Sequence, residues 1–401
     1  MKWWIPAAAL AALLPACGPS ETAPPASPAV SGEVRTERLA TLEWPWGIAY
    51  LPDGRLLVTE KPGRLRIFVN GQLSAPIENV PAVVFRDPSG EGEQGGLLDV
   101  AVDPDFAQNR FIYLSYVEAA DPQPANATDP GDPRFGGFGD TSDAIQRGGA
   151  VARATLDDTR LGNVQVIWRQ TPKTIGRGHF GHRLAFASDG TLFITSGDRM
   201  RFDPAQALDS NLGKVVRINT DGSIPSDNPF TGRDGALPDV YSVGHRNILA
   251  AAVHPTSGQL WVWEMGPLGG DELNIIQAGR NYGWPVVSNG DNYDRSPIPD
   301  HPARPEFEAP VRTWTPVIAP SGALFYSGSL FPWRGSVLVG GLVPRAIVRL
   351  TLNGDEVAGE ERIPMQGRVR DMIEAQDGSI LMITDAKSGE LLRLTPAAAG
   401  R

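Results

Sequence analysis

From residue 34 onward the chain runs in short apolar stretches separated by tight polar turns, and one phrase keeps returning. It consists of an Asp-Gly type turn, an alternating apolar run, a Thr or Ser, and a second glycine turn. The clearest copy is Pro52-Asp53-Gly54-Arg55-Leu56-Leu57-Val58-Thr59, followed by Gly63-Arg64-Leu65-Arg66-Ile67. A turn of that chemistry between runs of period two predicts a β-hairpin. Further copies are Asp103-Pro104-Asp105-Phe106 leading into Arg110-Phe111-Ile112-Tyr113-Leu114-Ser115, then Ser188-Asp189-Gly190-Thr191-Leu192-Phe193-Ile194-Thr195. His254-Pro255-Thr256-Ser257-Gly258-Gln259-Leu260-Trp261-Val262 and Gln376-Asp377-Gly378-Ser379-Ile380-Leu381-Met382-Ile383-Thr384 belong to the same set. Phe331-Pro332-Trp333-Arg334-Gly335-Ser336-Val337-Leu338-Val339 is a degenerate copy without the Asp-Gly. Spacings of roughly 50 to 85 residues match repeat blades of about 40–50 residues carrying loop insertions. Runs such as Leu192 to Thr195, apolar on both faces, suit strands packed between neighbouring blades. The pattern predicts an all-β fold, a six-bladed β-propeller of four-stranded antiparallel blades, over residues 36–396.

Composition agrees with this reading. The 401 residues include 45 Gly and 36 Pro, about a fifth of the chain against a usual share of roughly 12%, which leaves little room for long helices. A hydrophobic content of 41% is enough for a core and excludes collagen-like and disordered classes. The formal net charge of −10, with no run of Lys or Arg to reverse it locally, excludes nucleic acid as a partner. One cysteine, Cys17, rules out an intramolecular disulfide and multi-cysteine metal sites. It ends a segment with Lys2 and an apolar run from Trp3 to Leu14, too short to span a membrane and built like an export signal. Leu14-Pro15-Ala16-Cys17 resembles a bacterial lipoprotein cleavage box, with Pro15 an unusual occupant. The expected organisation is a lipoprotein-type signal peptide over 1–16, lipidation at Cys17 and a flexible Pro/Ala/Ser-rich tether over 17–35, with an ordinary signal peptide as the alternative. The protein is thus expected to be exported, periplasmic or held in the cell envelope, touching membrane only through a lipid anchor. The stretch from Asp121 to Asp143, dense in Gly, Pro and Asp, reads as a solvated surface loop, and its acids match no EF-hand spacing.

Propeller function resides in loops at one mouth of the channel, so polar segments flanking the repeat phrase are the candidates. Five stand out: Glu91-Gly92-Glu93-Gln94-Gly95-Gly96-Leu97-Leu98-Asp99, Gly178-His179-Phe180-Gly181-His182-Arg183-Leu184, Gly244-His245-Arg246-Asn247, Glu264-Met265-Gly266-Pro267-Leu268-Gly269-Gly270-Asp271-Glu272-Leu273-Asn274, and Gly367-Arg368-Val369-Arg370-Asp371. In this order, and with Asn281-Tyr282-Gly283-Trp284-Pro285 and Asp385-Ala386-Lys387-Ser388-Gly389-Glu390-Leu391, the chain resembles the soluble-type pyrroloquinoline quinone (PQQ) glucose and aldose sugar dehydrogenase family over about residues 40 to 395. The resemblance implies a six-bladed propeller with PQQ and Ca²⁺ at the channel mouth, a small-molecule sugar substrate and an external electron acceptor.

PQQ is an ortho-quinone with three carboxylates, and the planar donors of Arg suit such a ligand better than Lys. Arg368 and Arg370, two apart on a strand-like segment, are expected to point the same way. By resemblance they hold the cofactor with Arg246, Asn247 and Gln94. His179 is the expected general base, its ordinary pKa near 6.5 suiting proton abstraction at neutral pH; His182 and His245 compete for that role. The strand context sets His179 and His182 on opposite faces, against a shared metal. Gly266 and Pro267 match carbonyl donors to Ca²⁺, and Glu264 is an expected carboxylate ligand, while Asp271 and Glu272 are open to a loop-ordering role. Two departures stand out. Val343 occupies the position of the family's cofactor-supporting Lys, with Arg345 nearby, and Gly178 replaces an acidic neighbour of the base, which implies a less firmly oriented imidazole. A non-redox sugar- or protein-binding propeller and a calcium-dependent lactonase-type hydrolase remain the competing functions.

Overall fold

The computed structural model describes residues 30, 31, 34–86, 93–125, 127, 128, 131–135 and 144–397. Cys17, the signal segment and most of the tether lie outside them. Six antiparallel sheets follow one another around an axis. Blade 1 covers 45–73, blade 2 97–169, blade 3 181–243, blade 4 248–314 and blade 5 320–364, each a four-stranded meander whose first strand is innermost. Blade 6 takes three strands from 369–396 and a fourth from the other end of the chain, Val34–Glu43, with the two-residue strand Val30–Ser31 added at its edge. That strand pairs with Ser388–Pro396 from Glu43 opposite Ser388 to Val34 opposite Pro396, so hydrogen bonds between the two chain ends close the ring. Val34 and Arg35, expected in the tether, belong to this strand.

Each copy of the recurring phrase is the turn between a blade's first and second strands. Gly190 and Gly378 take positive φ (84° and 79°), as the turn requires. Asp189 Oδ1 accepts from the Thr191 N–H and hydroxyl at 2.9 and 2.6 Å, and Asp377 Oδ1 does the same for Ser379 at 3.0 and 2.6 Å. The phrase is thus a self-capped Asx turn. The core is distributed between blades: Leu57, Leu65 and Ile67 of blade 1 pack with Val100, Ile112 and Leu114 of blade 2, and similar clusters fill the other wedges.

The innermost strands share a feature that builds the site. All six carry a register shift near their start, between Pro45/Ile48, Leu97/Val100, Gly181/Leu184, Ile248/Ala250, Ser321/Ala323 and Val369/Asp371. Such bulges turn successive side chains away from the regular alternation. The third residues of the six strands are Gly47, Asp99, Arg183, Ala250, Gly322 and Asp371, and three of them form a buried charge cluster. Arg183 donates to Asp371 at 2.9 Å, Asp99 at 3.3 Å, and the carbonyls of Leu249 and Arg370 at 2.8 and 3.1 Å, with its guanidinium 4.1 Å over the Trp46 ring. Five blades are tied together through one side chain. Glycine is needed beside each acid: a Cβ on Gly47 would lie 2.8 Å from Asp99 Oδ1, and one on Gly322 2.5 Å from Asp371 Oδ1.

Candidate functional site

Residues that run into the innermost strands, and those that follow each second strand, gather at the face away from the Asp-Gly turns. A cavity of about 570 Å³ lies there, within the size range of small-molecule sites. Trp44, Trp46, Phe180 and Leu249 supply apolar wall, while Lys61, Arg368, Arg370 and Asp385 supply charge. Arg370 sits on the innermost strand of blade 6 and Arg368 just before it, so the expected pair does share one wall. Asp385 clamps both: its Oδ2 accepts from Arg368 Nε at 2.9 Å and its Oδ1 from Arg370 Nη2 at 2.7 Å. Burial opposes ionisation of Asp385, but Arg370 and then Arg368 hold its carboxyl far below the ordinary range. Val343 also lines the cavity, 56% exposed.

His179 lies beside this cavity, just before the innermost strand of blade 3, at a left-handed φ of 51°. Its Nδ1 lies 2.7 Å from Asp198 Oδ1, and its backbone N–H donates to Gln94 Oε1 at 2.8 Å. Asp198 follows the second strand of the same blade. It is fully buried and also accepts from Trp284 Nε1 at 2.8 Å and the Met200 N–H at 2.9 Å. Burial, then the Arg246 charge, lowers the His179 pKa. Burial alone would raise Asp198, but His179 and Arg246 hold it below the usual carboxylate value. The pair is therefore neutral imidazole and carboxylate at neutral pH, and Nδ1–H donation to Asp198 leaves the Nε2 lone pair available. Gly178 does not leave the imidazole loosely oriented, since Asp198 reaches it from the next strand. The loop between Asp121 and Asp143 does not lie wholly in solvent either: Phe135 is buried, with its ring 5.7 Å from His179 and stacked on Tyr293 at 5.6 Å.

The other histidines are differently placed. His182 is fully buried between Trp168 and Phe180, with neither ring nitrogen hydrogen-bonded among the described residues, and burial lowers its pKa to about 3. His245 has both nitrogens engaged, Nδ1 with Glu264 at 2.9 Å and Nε2 with Ser242 at 2.8 Å. Glu264 likewise has both oxygens in use. Oε1 meets His245 and Asn274 Nδ2 (3.1 Å), and Oε2 accepts from the Arg246 N–H at 2.7 Å. In this arrangement the Glu264 carboxylate, expected as a metal ligand, holds the His245-Arg246 turn in place. Asp271 accepts from the N–H groups of Gly266, Ile318 and Ala319 and orders the loop. Arg246 Nη1 donates to the carbonyls of Met265 and Gly266 at 2.9 and 2.8 Å, so these two acceptors converge on positive charge. Arg246 Nε and Asn247 Oδ1 are buried without a partner among the described residues.

Asp198, Lys61, Asp385 and Phe135 had not been assigned roles from the sequence. A usable signal existed for the first three, each a charged residue within three positions of the Thr that ends a repeat phrase (Thr195, Thr59 and Thr384).

A closed six-bladed propeller with a cationic, aromatic-walled cavity beside a carboxylate-held imidazole is the scaffold of a sugar dehydrogenase. Comparison of the chain with known proteins gives the same class. The chain belongs to the Glucose / Sorbosone dehydrogenase family, whose profile matches residues 42–393. It is 39% identical over 364 residues to aldose sugar dehydrogenase YliI of Escherichia coli, covering 88% of this chain and 91% of that one. A crystal structure of glucose dehydrogenase superimposes with a TM-score of 0.79 at 40% identity, over 91% of this chain and 99% of the other. The PQQ-bound form of an aldose sugar dehydrogenase from Streptomyces coelicolor gives a TM-score of 0.68 at 26% identity, over 92% and 100%.

Proposed function

We propose that the protein oxidises aldose sugars with PQQ and Ca²⁺, passing electrons to an external acceptor. The observation that carries this reading is the His179–Asp198 pair next to a cavity whose size and positive charge suit a planar polycarboxylate. PQQ, when bound, would supply the quinone that takes up the hydride, which carries both electrons of the oxidation. Arg368 and Arg370 would hold its acidic groups, with Gln94, Arg246 and Asn247 as further donors; the unpartnered Arg246 Nε–H fits such a ligand. His179 Nε2 takes the proton of the sugar hydroxyl, and Asp198 holds the ring in the tautomer that can do so. Phe135 and the aromatic walls exclude water from that proton transfer.

Ca²⁺ would be held through the carbonyls of Gly266 and Pro267, on the segment whose Met265 and Gly266 carbonyls now face the Arg246 guanidinium. Glu264 positions Arg246. For the chain before residue 30 the proposal is export and anchoring through lipidated Cys17; Cys17→Ser should then move the protein from the membrane to the soluble fraction. Among the described residues no helix is long and apolar enough to cross a membrane.

The test adds PQQ and Ca²⁺ to purified protein and measures aldose-dependent dye reduction together with PQQ absorption. Binding and turnover are expected, with His179→Ala abolishing turnover while PQQ still binds. If PQQ does not bind, the redox reading is lost and the reading motivated by Val343, a sugar-binding propeller without redox chemistry, takes its place.

A further inference from the structure

Lys61 follows the second strand of blade 1 and lines the same cavity as Arg368, Arg370 and Val343. It is 6% exposed. Its Nζ donates to the Glu93 carbonyl at 2.6 Å and lies 4.9 Å from the Trp44 ring centroid and 5.5 Å from that of Phe85. The neighbouring carboxylates are already engaged. Asp385 is bound to Arg368 and Arg370, and the Glu93 carboxylate is bound to Arg147 at 3.3 Å and to the Gly95 N–H. Among the described residues no carboxylate forms an ion pair with Lys61, so two of its three donor directions are met by nothing stronger than aromatic faces. Asp385 and Glu93 act on this ammonium only from beyond ion-pair distance, and a buried ammonium with no carboxylate bonded to it is costly and marks a place where an anion is expected to dock.

We propose that Lys61 is an anion-binding cation of this cavity, receiving a carboxylate of the bound polycarboxylate cofactor and supplying from blade 1 the positive charge that Val343 removes from blade 5. The inference rests on the PQQ reading above and deepens it. Arg368 and Arg370 share a single acid, so the described wall formed by these residues and Lys61 carries net positive charge, as a tricarboxylate requires.

The experiment titrates PQQ into purified protein and follows quenching of tryptophan fluorescence, since Trp44 and Trp46 line the cavity. Lys61→Met should weaken PQQ binding by about 10- to 100-fold with the melting temperature unchanged or raised, because the variant loses an unpaired buried charge. Lys61→Arg should stay within about tenfold of wild type, and Val343→Lys added to Lys61→Met should recover most of the loss. Burial and the Arg370 charge lower the Lys61 ammonium to about pKa 8, so wild-type affinity should fall as pH rises above about 8 and the Lys61→Met profile should be flat there. The other charged groups facing it are Arg368, Asp385, Glu93 and, on the same cavity, Lys387. Equal affinity of wild type and folded Lys61→Met overturns the proposal alone. Should that variant fail to fold, a flat wild-type profile between pH 7 and 9.5 overturns it. Wild type that binds no PQQ overturns both this inference and the functional reading on which it rests.

Discussion

Replacing Asp198 with Asn changes one oxygen to an amide within an otherwise preserved shape, and the structure says what should follow. Asp198 Oδ1 accepts from His179 Nδ1 at 2.7 Å and from the Met200 N–H, while Oδ2 accepts from Trp284 Nε1. A hydrogen bond to a buried charged group contributes about 1.5–3 kcal/mol. At about 1.4 kcal/mol per factor of ten, losing it from the base alone lowers turnover about 10- to 100-fold. The amide can also donate to Nδ1, which would put the proton on Nε2 and leave the base with no lone pair toward the substrate. The expected fall in kcat is therefore about 10²-fold or more, with PQQ affinity within a few fold of wild type. The pH profile supplies a second signature. Asp198 raises the His179 pKa against the lowering effects of burial and Arg246. Its loss moves the acid limb of kcat to lower pH even as the plateau drops. Steady-state kinetics of PQQ-loaded protein from pH 5 to 9, with thermal melts to confirm folding, measure both effects. Unchanged kcat, or a lower plateau with an unmoved acid limb, would refute the assignment of Asp198 as the group that orients the base.

Three further outcomes can be checked by denaturation. Gly149→Ala should cost about 1–3 kcal/mol, because its Cβ would fall 1.6 Å from His182 Cε1, and the added change His182→Ala should restore most of the loss. His182 stays neutral in the folded state down to about pH 3, whereas its unfolded value is near 6.5. The unfolded chain therefore binds the extra proton first, stability falls by about 1.4 kcal/mol for each pH unit below 6.5 from this group, and His182→Ala should flatten that slope in urea titrations. Arg183→Met should destabilise by about 3–5 kcal/mol at neutral pH, since it strands Asp99 and Asp371 without their cation. Burial already raises both carboxyls above the usual range, so the native state takes up protons before the unfolded chain does as the pH falls. The variant should regain part of its stability on acidification from pH 8 to 5, and a loss independent of pH would argue against charge as the cause.

Several elements were legible in one dimension because they are local. The Asp-Gly phrase encodes its own turn through Asx capping and a positive-φ glycine, and its recurrence counts the blades. Arg368 and Arg370 share one wall, as a spacing of two suggests, although the bulge at Val369/Asp371 interrupts the strand's period and Asp385 binds both. The His179 segment could be located by its position before an innermost strand. The hydrogen-bonding role of Glu264 was not legible: a carboxylate near a glycine-rich turn reads as a metal ligand, and only the tertiary structure shows that His245, Asn274 and the Arg246 N–H engage its two oxygens.

By itself the sequence determined the propeller and the number of its blades, because these follow from short-range turn chemistry and strand periodicity. Tertiary structure alone decided how the charges are shared. Bulges in the innermost strands accompany the meeting of Arg183 with acids from two other blades, while closure of the ring brings Lys61 of blade 1 into the cavity of Arg368 and Arg370 of blade 6, and an inter-strand loop sets Phe135 against His179. Electrostatic partnership depends on distance in space, and in a closed ring the residues nearest in space at the axis are far apart along the chain.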